Sequence, residues 1–324
     1  MRRREVIAGL GSVPLLHVLR AQAQQDVRVH RVAVLSPSQF SADHIRAVVL
    51  PELARLGFVA GRNLAMTFHI GPLGDLSRLA LEALSTDPDA IIASSNGAVA
   101  AILEHSATVP IVMAFAGEDP VAAGLAKTLA RPGGSVTGLT NLATQLDGKR
   151  VTLLLEAAPA TRRIGIVAVP PPRHLASIAE IARVAESLGV KVVTAYAHRP
   201  EQYAAAFSAL RSEVANAVQI ASAPEYLRDA ATIAAQAREA GLPTVCEVAD
   251  MVRNGCLLSY GTRFDEFRRR AADFVARILR GAAPADMPIE QPTVFELVIN
   301  LRTAQAIGLA IPPSFLARAD EVIE

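Results

Sequence analysis

The sequence lacks tryptophan, and aromatic residues fill only 4% of its 324 positions although 51% are hydrophobic. Alanine, valine, isoleucine and leucine therefore supply most of the apolar content. These residues suit close packing of helices against a parallel sheet. Sugar ligands usually stack on Trp or Tyr rings, so the scarcity of aromatic residues argues against a sugar-binding protein.

Long apolar runs and an excess of one charge sign are also missing. No segment holds 18 consecutive apolar residues, so the sequence predicts no membrane-spanning helix. The formal net charge is +1, and the body of the chain has no basic run. We therefore expect no nucleic-acid partner, because DNA and RNA binding depend on clustered Lys and Arg.

Recognisable catalytic motifs are absent as well. The sequence has no G-x-S-x-G, no P-loop, no H-E-x-x-H and no Cys/His cluster with metal-ligand spacing. Of its seven histidines, only His174 falls near the end of a predicted strand. With no base and nucleophile to pair, we expect neither an enzyme nor a bound cofactor or metal.

Cysteine is rare too, with Cys246 and Cys256 as the two examples. In an oxidising compartment they could form a disulfide, but two thiols ten residues apart can equally stay reduced. Their neighbours are apolar, so we favour two free, buried thiols.

The first 23 residues have the layout of a secretory signal. Three arginines, residues 2–4, precede the small apolar stretch VIAGLGSVPLL, and Ala21-Gln22-Ala23 provides an A-x-A cleavage site. The arginine pair followed by apolar residues is typical of the twin-arginine route, with the general secretory route as the alternative. We expect cleavage near Ala23 and a periplasmic mature protein.

Predicted strands and helices alternate from Arg31 onward, as in an α/β fold with a doubly wound parallel sheet. Pro51 should kink or split the first helix. A short helix is expected from Val121, and a longer one from Phe264 to Leu279. The arginines of the longer helix, interpreted as a solvated face, are Arg268, Arg269, Arg270 and Arg277.

The second half of the chain repeats the first. RVAVLSPS begins at Arg31, and RIGIVAVP begins 132 residues later at Arg163. The other matched pairs, in the same order, are Leu56-Gly57 with Leu188-Gly189, DAIIASS with NAVQIAS, and VPIVMAF with LPTVCEV. The repeat predicts two similar doubly wound parallel-sheet lobes, and the stretch from Ile111 to Leu142 ends the first and crosses to the second.

Ligands of open α/β sheets bind beyond the carboxyl ends of the strands. The residues that follow the predicted strands therefore form the candidate site. They are Ser36, Gln39, Ser94, Ser95, Asn96 and Asp119 in the first half, and His174, Glu225, Tyr226 and Glu247 in the second.

Ser94, Ser95 and Asn96 join a buried strand to a helix whose first amides favour an anion, so they could hold a ligand carboxylate. Plain N-capping by Ser95 or Asn96 is the alternative. Asp119 could pair with a ligand ammonium or instead cap the helix from Val121. Tyr226 is a possible stacking surface, although single aromatic residues in loops more often serve in packing.

The motifs RPGGSVTG and Leu258-Ser259-Tyr260-Gly261, and above all the block from Gln291 to Glu324, resemble the ABC-transporter substrate-binding proteins related to tryptophan and tyrosine binders. The resemblance implies a type I periplasmic binding fold, in which a three-segment hinge joins two lobes. It assigns residues 28–139 plus 262–284 to lobe 1, and residues 140–261 plus 285–324 to lobe 2. In such proteins the Ser/Thr-rich turn holds the carboxylate, which matches Ser94 to Asn96, and the acidic turn matches Asp119.

The resemblance also implies a function. We expect a monomeric, exported component of an ABC importer that closes over a small carboxylate-bearing solute, with an amino acid and especially an aromatic one favoured, and delivers it to an inner-membrane permease. One alternative is a periplasmic sensor that signals to a membrane partner. The other is a doubly wound enzyme that uses Glu247 or Asp119 as a base.

Overall fold

The computed structural model describes residues 28–116, 119–141, 143–171 and 174–324. The predicted signal segment, residues 1–23, lies outside these ranges, so its prediction stands as made from the sequence. Within the described ranges, no helix combines the length and the apolar content needed to cross a membrane.

The first half of the chain builds a sheet of parallel strands with helices on both faces. Its strands are β1 His30–Ser36, β2 Leu64–Ile70, β3 Ala90–Ala93, β4 Ile111–Ala116 and β5 Val136–Thr140. Its helices are α1 Gln39–His44, α2 Leu50–Arg55, α3 Leu76–Ser85 and α4 Asn96–Leu103, with a 3₁₀ turn at Leu73–Asp75.

The second half builds a second sheet in the same way. Its strands are β6 Arg163–Ala168, β7 Lys191–Tyr196, β8 Ala217–Ile220, β9 Thr244–Cys246 and β10 Leu258–Thr262. Its helices are α5 Ala143–Ala157, α6 Leu175–Ser187, α7 Pro200–Ser212, α8 Pro224–Arg228, α9 Ala230–Glu239 and α10 Ala249–Arg253.

The segment from Phe264 to Glu324 contributes to both sheets. They form α11 Phe264–Leu279, a 3₁₀ turn Pro284–Asp286, β11 Ile289–Glu290, β12 Phe295–Asn300, α12 Leu301–Ala306, α13 Pro313–Leu316 and β13 Glu321–Ile323. The first sheet has the order β11-β5-β4-β3-β1-β2, and the second has the order β13-β12-β10-β9-β8-β6-β7. In the second sheet β12 is antiparallel to β10.

The two sheets confirm the predicted fold class. The order β2-β1-β3-β4-β5 in the first matches β7-β6-β8-β9-β10 in the second, and every neighbouring pair within these two sets is parallel. The strands β1, β3 and β4 correspond to the segments whose sequences recur in the second half. Each lobe buries aliphatic residues on both faces of its sheet, as a parallel sheet covered by helices requires.

The chain crosses between the lobes three times. The crossings follow β5, β10 and β11, and α11 packs against β4 and β5 through Phe267, Phe274 and Val275 in the core of lobe 1. One boundary differs from the prediction. We placed residues 285–324 in lobe 2, but β11 pairs with β5 in the first sheet, so the third crossing begins only after Glu290.

Pro51 splits the first helix, as predicted. The segment from Ile45 to Val49 forms a π-helical turn between α1 and α2, and Pro51 lies in the first turn of α2. Proline has no amide hydrogen and its ring crowds the carbonyl four residues earlier, so a wider turn before it relieves that contact.

The carboxyl ends of the two sheets face each other. α1, which follows β1 in lobe 1, lies against α8, which follows β8 in lobe 2. Phe40 of α1 packs against the core of lobe 2. The loops that follow the strands therefore border the space between the lobes, where the candidate site was predicted.

Candidate functional site

The hydroxyls of Ser36 and Ser94 bond to each other. Ser94 Oγ donates a hydrogen bond to Ser36 Oγ over 2.8 Å, and Ser36 Oγ donates to the carbonyl oxygen of Ser38 over 2.9 Å. Both serines are buried. Because each hydroxyl has already used its hydrogen, these two serines tie the ends of β1 and β3 together and have no hydrogen left to donate to a solute.

At the start of α4, Ser95 and Asn96 keep hydrogen-bonding capacity that Ser36 and Ser94 have used. Ser95 is the N-cap, and its Oγ accepts a hydrogen bond from the amide of Ala98 over 3.1 Å, so the capping alternative is realised there. Asn96 follows it. Both polar atoms of the Asn96 side chain, Oδ1 and Nδ2, are buried without a hydrogen-bond partner. An unpaired buried amide costs free energy, so this position is prepared for a partner that can both donate and accept.

Gln39 and Asp119 lie at the exposed rim of lobe 1. Gln39 Nε2 donates to Asp43 Oδ1 over 2.7 Å. Asp119 Oδ1 accepts from the amides of Val121 and Ala122, over 2.8 and 3.3 Å, which is capping geometry.

The helix predicted from Val121 is wrong, because residues 120–124 form only turns. The turn ends at Gly124, whose positive φ of 72° does not continue a helix.

Glu247 is the central polar residue of lobe 2. It follows β9 and is buried. Asn141, at the first crossing, donates from Nδ2 to Glu247 Oε1 over 2.7 Å, and Ser222 Oγ donates to Oε2. Glu247 thus connects the end of the lobe 1 sheet with the loop after β8. The Glu247 carboxylate therefore holds the first crossing in place through Asn141, and it also borders the space between the lobes.

Burial raises the pKa of the Glu247 carboxyl, since its loss of hydration outweighs the opposing effect of Arg150. A carboxyl with a raised pKa binds its proton more tightly in the folded state, so its contribution to stability falls as pH rises. That decline starts near its unfolded pKa of about 4.3 and ends above the raised folded value.

We expect Glu247→Gln to remove this decline. The glutamine can accept from Asn141 and donate to Ser222, so the contacts persist without the buried charge. Urea unfolding at several pH values between about 4 and 8 measures the effect, as the difference between wild type and variant. The variant should gain on the wild type as pH rises, and a constant difference would contradict the assignment.

The remaining predicted residues of lobe 2 serve mainly to hold loops together. His174 Nδ1 accepts from the amide of Val169 over 3.1 Å, and its Nε2 lies 3.0 Å from the carbonyl oxygen of Ser222. This geometry assigns the hydrogen to Nε2. Glu225 is half-buried in the first turn of α8. Tyr226 does not offer a stacking surface, because its ring is fully buried and its hydroxyl donates to the Ala197 carbonyl over 2.6 Å.

Beneath Glu247 lies a buried polar network that the sequence did not reveal. Asp147 Oδ1 accepts from Arg150 Nη1 over 3.0 Å and from Gln219 Nε2 over 2.9 Å, and Ser177 donates to Oδ2. Arg150 Nε donates to the carbonyl oxygen of Tyr260 over 2.8 Å. The i,i+3 spacing of Asp147 and Arg150 on α5 was a visible signal, but such pairs are usually exposed.

The predicted solvated arginine face of α11 is wrong at one position. Arg269 and Arg270 are exposed, but Arg268 is only 6% exposed and its Nη1 has no hydrogen-bond partner. Burial lowers the pKa of Arg268 to about 10. Four arginines in one helix could not all be solvated, because α11 also packs into lobe 1 and against lobe 2.

Both cysteines are free and buried, as the sequence favoured. The Cys246 and Cys256 thiols contact each other, and burial raises the pKa of Cys246 well above its usual value. A thiol held in its protonated form is a poor nucleophile, so the pair packs the core of lobe 2.

Comparisons with known proteins identify relatives that share this architecture. A tyrosine-binding protein from Clostridioides difficile (strain R20291) is 22% identical over 272 residues, which cover 83% of this chain and 78% of that protein. The solved structure of an ABC domain in complex with L-Trp from Streptococcus pneumonia superposes with a TM-score of 0.82 at 23% identity, covering 91% of this chain and 100% of that chain.

A second solved structure is the ligand-free, open structure of CD0873, a substrate-binding protein with adhesive properties from Clostridium difficile. It superposes with a TM-score of only 0.66 at 22% identity, covering 91% of this chain and 99% of that chain. Residues 32–323 match the family model described as ABC transporter substrate binding protein. This range includes both lobes and all three crossings. The chain belongs to the ABC transporter substrate binding protein family.

Proposed function

We propose that this protein is the exported solute-binding component of an ABC importer. In this proposal it binds a small carboxylate-bearing solute, with an aromatic amino acid favoured, between its lobes in the periplasm and presents it to an inner-membrane permease. Family membership supports the transport role, and the relatives that bind tyrosine and L-Trp support the choice of solute.

The observation that carries the proposal is the unpaired amide of Asn96. Its donor and acceptor atoms are both buried without a partner, at a strand end that borders the space between the lobes. A solute with one group to donate and one to accept satisfies them, as the ammonium and carboxylate of an amino acid do. Ser95 lies beside Asn96, and its hydroxyl hydrogen remains available.

Closure of the lobes is supported by the superpositions. At nearly equal identity, the chain fits the L-Trp complex with a TM-score of 0.82 and the open, ligand-free structure with 0.66. The contact between α1 and α8 and the packing of Phe40 against lobe 2 also support a closed arrangement of the lobes. A hinge motion that separates the lobes would break both contacts and open the site to solvent.

A thermal-shift screen of the mature chain, from residue 24 onward, tests the proposal. The panel contains amino acids, aromatic acids and small carboxylates. A solute at 100 times its Kd adds about 2.7 kcal/mol to the stability of the protein, which raises Tm by several degrees. Stabilisation by an aromatic amino acid would support the proposal, and turnover of a substrate without any stabilising solute would refute it.

We expect Asn96→Leu to weaken binding of that solute by about tenfold to a hundredfold, because leucine fills the space of the amide without its hydrogen bonds. The free protein should not become less stable, since the amide is unpaired before the solute binds. Titration calorimetry measures the affinity. Gln305→Leu, a matched change at an exposed position of α12 in lobe 2, is the control and should change affinity by less than about twofold.

A further inference from the structure

Arg268 is a buried cation that has no counter-ion among the residues that the structure describes. Arg268 is only 6% exposed, its Nη1 has no hydrogen-bond partner, and the described acidic residues act on it only through long-range charge interactions. Its guanidinium lies over the ring of Phe264, 4.8 Å from the ring centroid. The attraction between the Phe264 ring and the guanidinium recovers only a small part of the hydration free energy that the guanidinium loses on burial.

The acidic residues nearest to Arg268 do not neutralise it. Asp265 and Asp250 act on it only at a distance, and Asp250 Oδ1 already accepts from Arg253 Nη1 over 2.9 Å. Asp265 lies one turn before Arg268 on α11, but its side chain is exposed and forms no salt bridge with Arg268. A buried guanidinium that lacks a carboxylate partner is unfavourable, and an anion bound beside it would supply the missing partner.

The place of Arg268 in the fold is at the junction of the lobes. α11 begins directly after β10, whose Gly261 lies against the backbone of Glu247 at the carboxyl end of the lobe 2 sheet. Phe264, one turn before Arg268 on the same face, packs in the core of lobe 2, whereas Ala271 and Ala272 pack in lobe 1. Thr262 at this crossing also has a buried hydroxyl without a partner.

We propose that Arg268 binds the carboxylate of the solute between the closed lobes. This inference rests on the proposed function and differs from the sequence-based expectation that Ser94, Ser95 and Asn96 hold the carboxylate. Two of the planar N–H groups of a guanidinium match the two oxygens of a carboxylate. Asn96 Oδ1 can then accept from the ammonium group of the solute, while Asn96 Nδ2 shares the carboxylate with Arg268. The solute class is narrowed to organic acids and amino acids whose carboxylate is free.

The test compares L-tryptophan with tryptamine, which lacks the carboxylate, by titration calorimetry on the mature chain. For Arg268→Met we expect the affinity for L-tryptophan to fall by about 100-fold, the loss typical of removing one partner of a buried charge pair. The affinity for tryptamine should change by less than twofold. Arg269→Met, which removes the exposed neighbouring guanidinium, is the matched control and should leave both affinities unchanged.

The melting temperature of the free protein separates a binding role from a structural one. Removing an unpaired buried cation should leave the Tm of Arg268→Met equal to or above that of wild type. A lower Tm combined with unchanged affinity for L-tryptophan would make Arg268 a structural residue and overturn the proposal. An equal loss of affinity for L-tryptophan and tryptamine would overturn it as well.

A different outcome addresses the proposed function alone. If no solute of the screen binds the wild type, importer function in that solute class fails, and a titration with sodium acetate against sodium chloride at constant ionic strength tests the anion site itself. A rise in Tm with acetate in wild type and Arg269→Met, and not in Arg268→Met, would support an anion site at Arg268. The same response in all three proteins would overturn it.

Discussion

Gly261→Ala is expected to lower the free energy of unfolding by about 3–5 kcal/mol, one of the two largest stability losses that we predict. A methyl group at Gly261 would lie 2.0 Å from the carbonyl oxygen of Glu247, far inside van der Waals contact. The obstacle is backbone, which cannot rotate away as a side chain can. β9 and β10 would have to move apart beside Glu247, which accepts hydrogen bonds from Asn141 and Ser222.

Urea unfolding measures this loss, and Gly134→Ala is the matched control. A methyl group at Gly134 meets no atom within 4 Å, so the control should change stability by less than about 1 kcal/mol. Solute affinity should fall together with stability in Gly261→Ala, because the displaced carbonyl belongs to a residue at the cleft. A Gly261→Ala protein as stable as the control would show that β9 and β10 are not this close.

Asp147→Ala is the second large effect, with an expected loss of about 3–5 kcal/mol. Asp147 and Arg150 are each only 1% exposed, and their ion pair measures 3.0 Å. Removing the carboxylate leaves the charged guanidinium of Arg150 in the core without Asp147. It also leaves Ser177 and Gln219 without their shared acceptor. The loss is large because the remaining charge cannot be hydrated, not because the pair itself adds that much stability.

A double variant separates these two explanations. Asp147→Leu combined with Arg150→Met replaces both charges with apolar groups, and should cost clearly less than Asp147→Ala alone. Asp75→Ala removes one member of the exposed i,i+3 pair with Arg78 and should cost less than about 1 kcal/mol. If the double variant loses more than the single one, attraction between the two charges dominates and the desolvation argument is wrong.

Much of the fold could be predicted because the chain encodes it twice. Each repeated strand is a short apolar run followed by a helix, and both halves adopt the same strand order. Hydrophobic spacing also located α11 correctly from Phe264 to Leu279. The two-residue β11 was missed because so short a strand has no pattern of its own. It forms only because β5 provides an open edge beside it.

The site was harder to predict than the fold. Position after a strand selected Asn96 and Glu247, which remain predicted site residues, yet the same rule selected Tyr226, which is fully buried. Ser36 and Ser94 look like two available hydroxyls in the sequence, but only the structure shows that they bond to each other. Arg268 was missed because its three neighbours of the same charge resemble a solvated face, and which of them is buried depends on how the lobes meet.

Calorimetric titration of the mature chain with L-tryptophan and L-tyrosine at three temperatures tests solute binding between the lobes most directly. We predict saturable binding of one solute per chain with a negative heat-capacity change, because closure buries apolar surface. No binding of either amino acid, or binding with a heat-capacity change of zero, would contradict a cleft that closes on an aromatic amino acid.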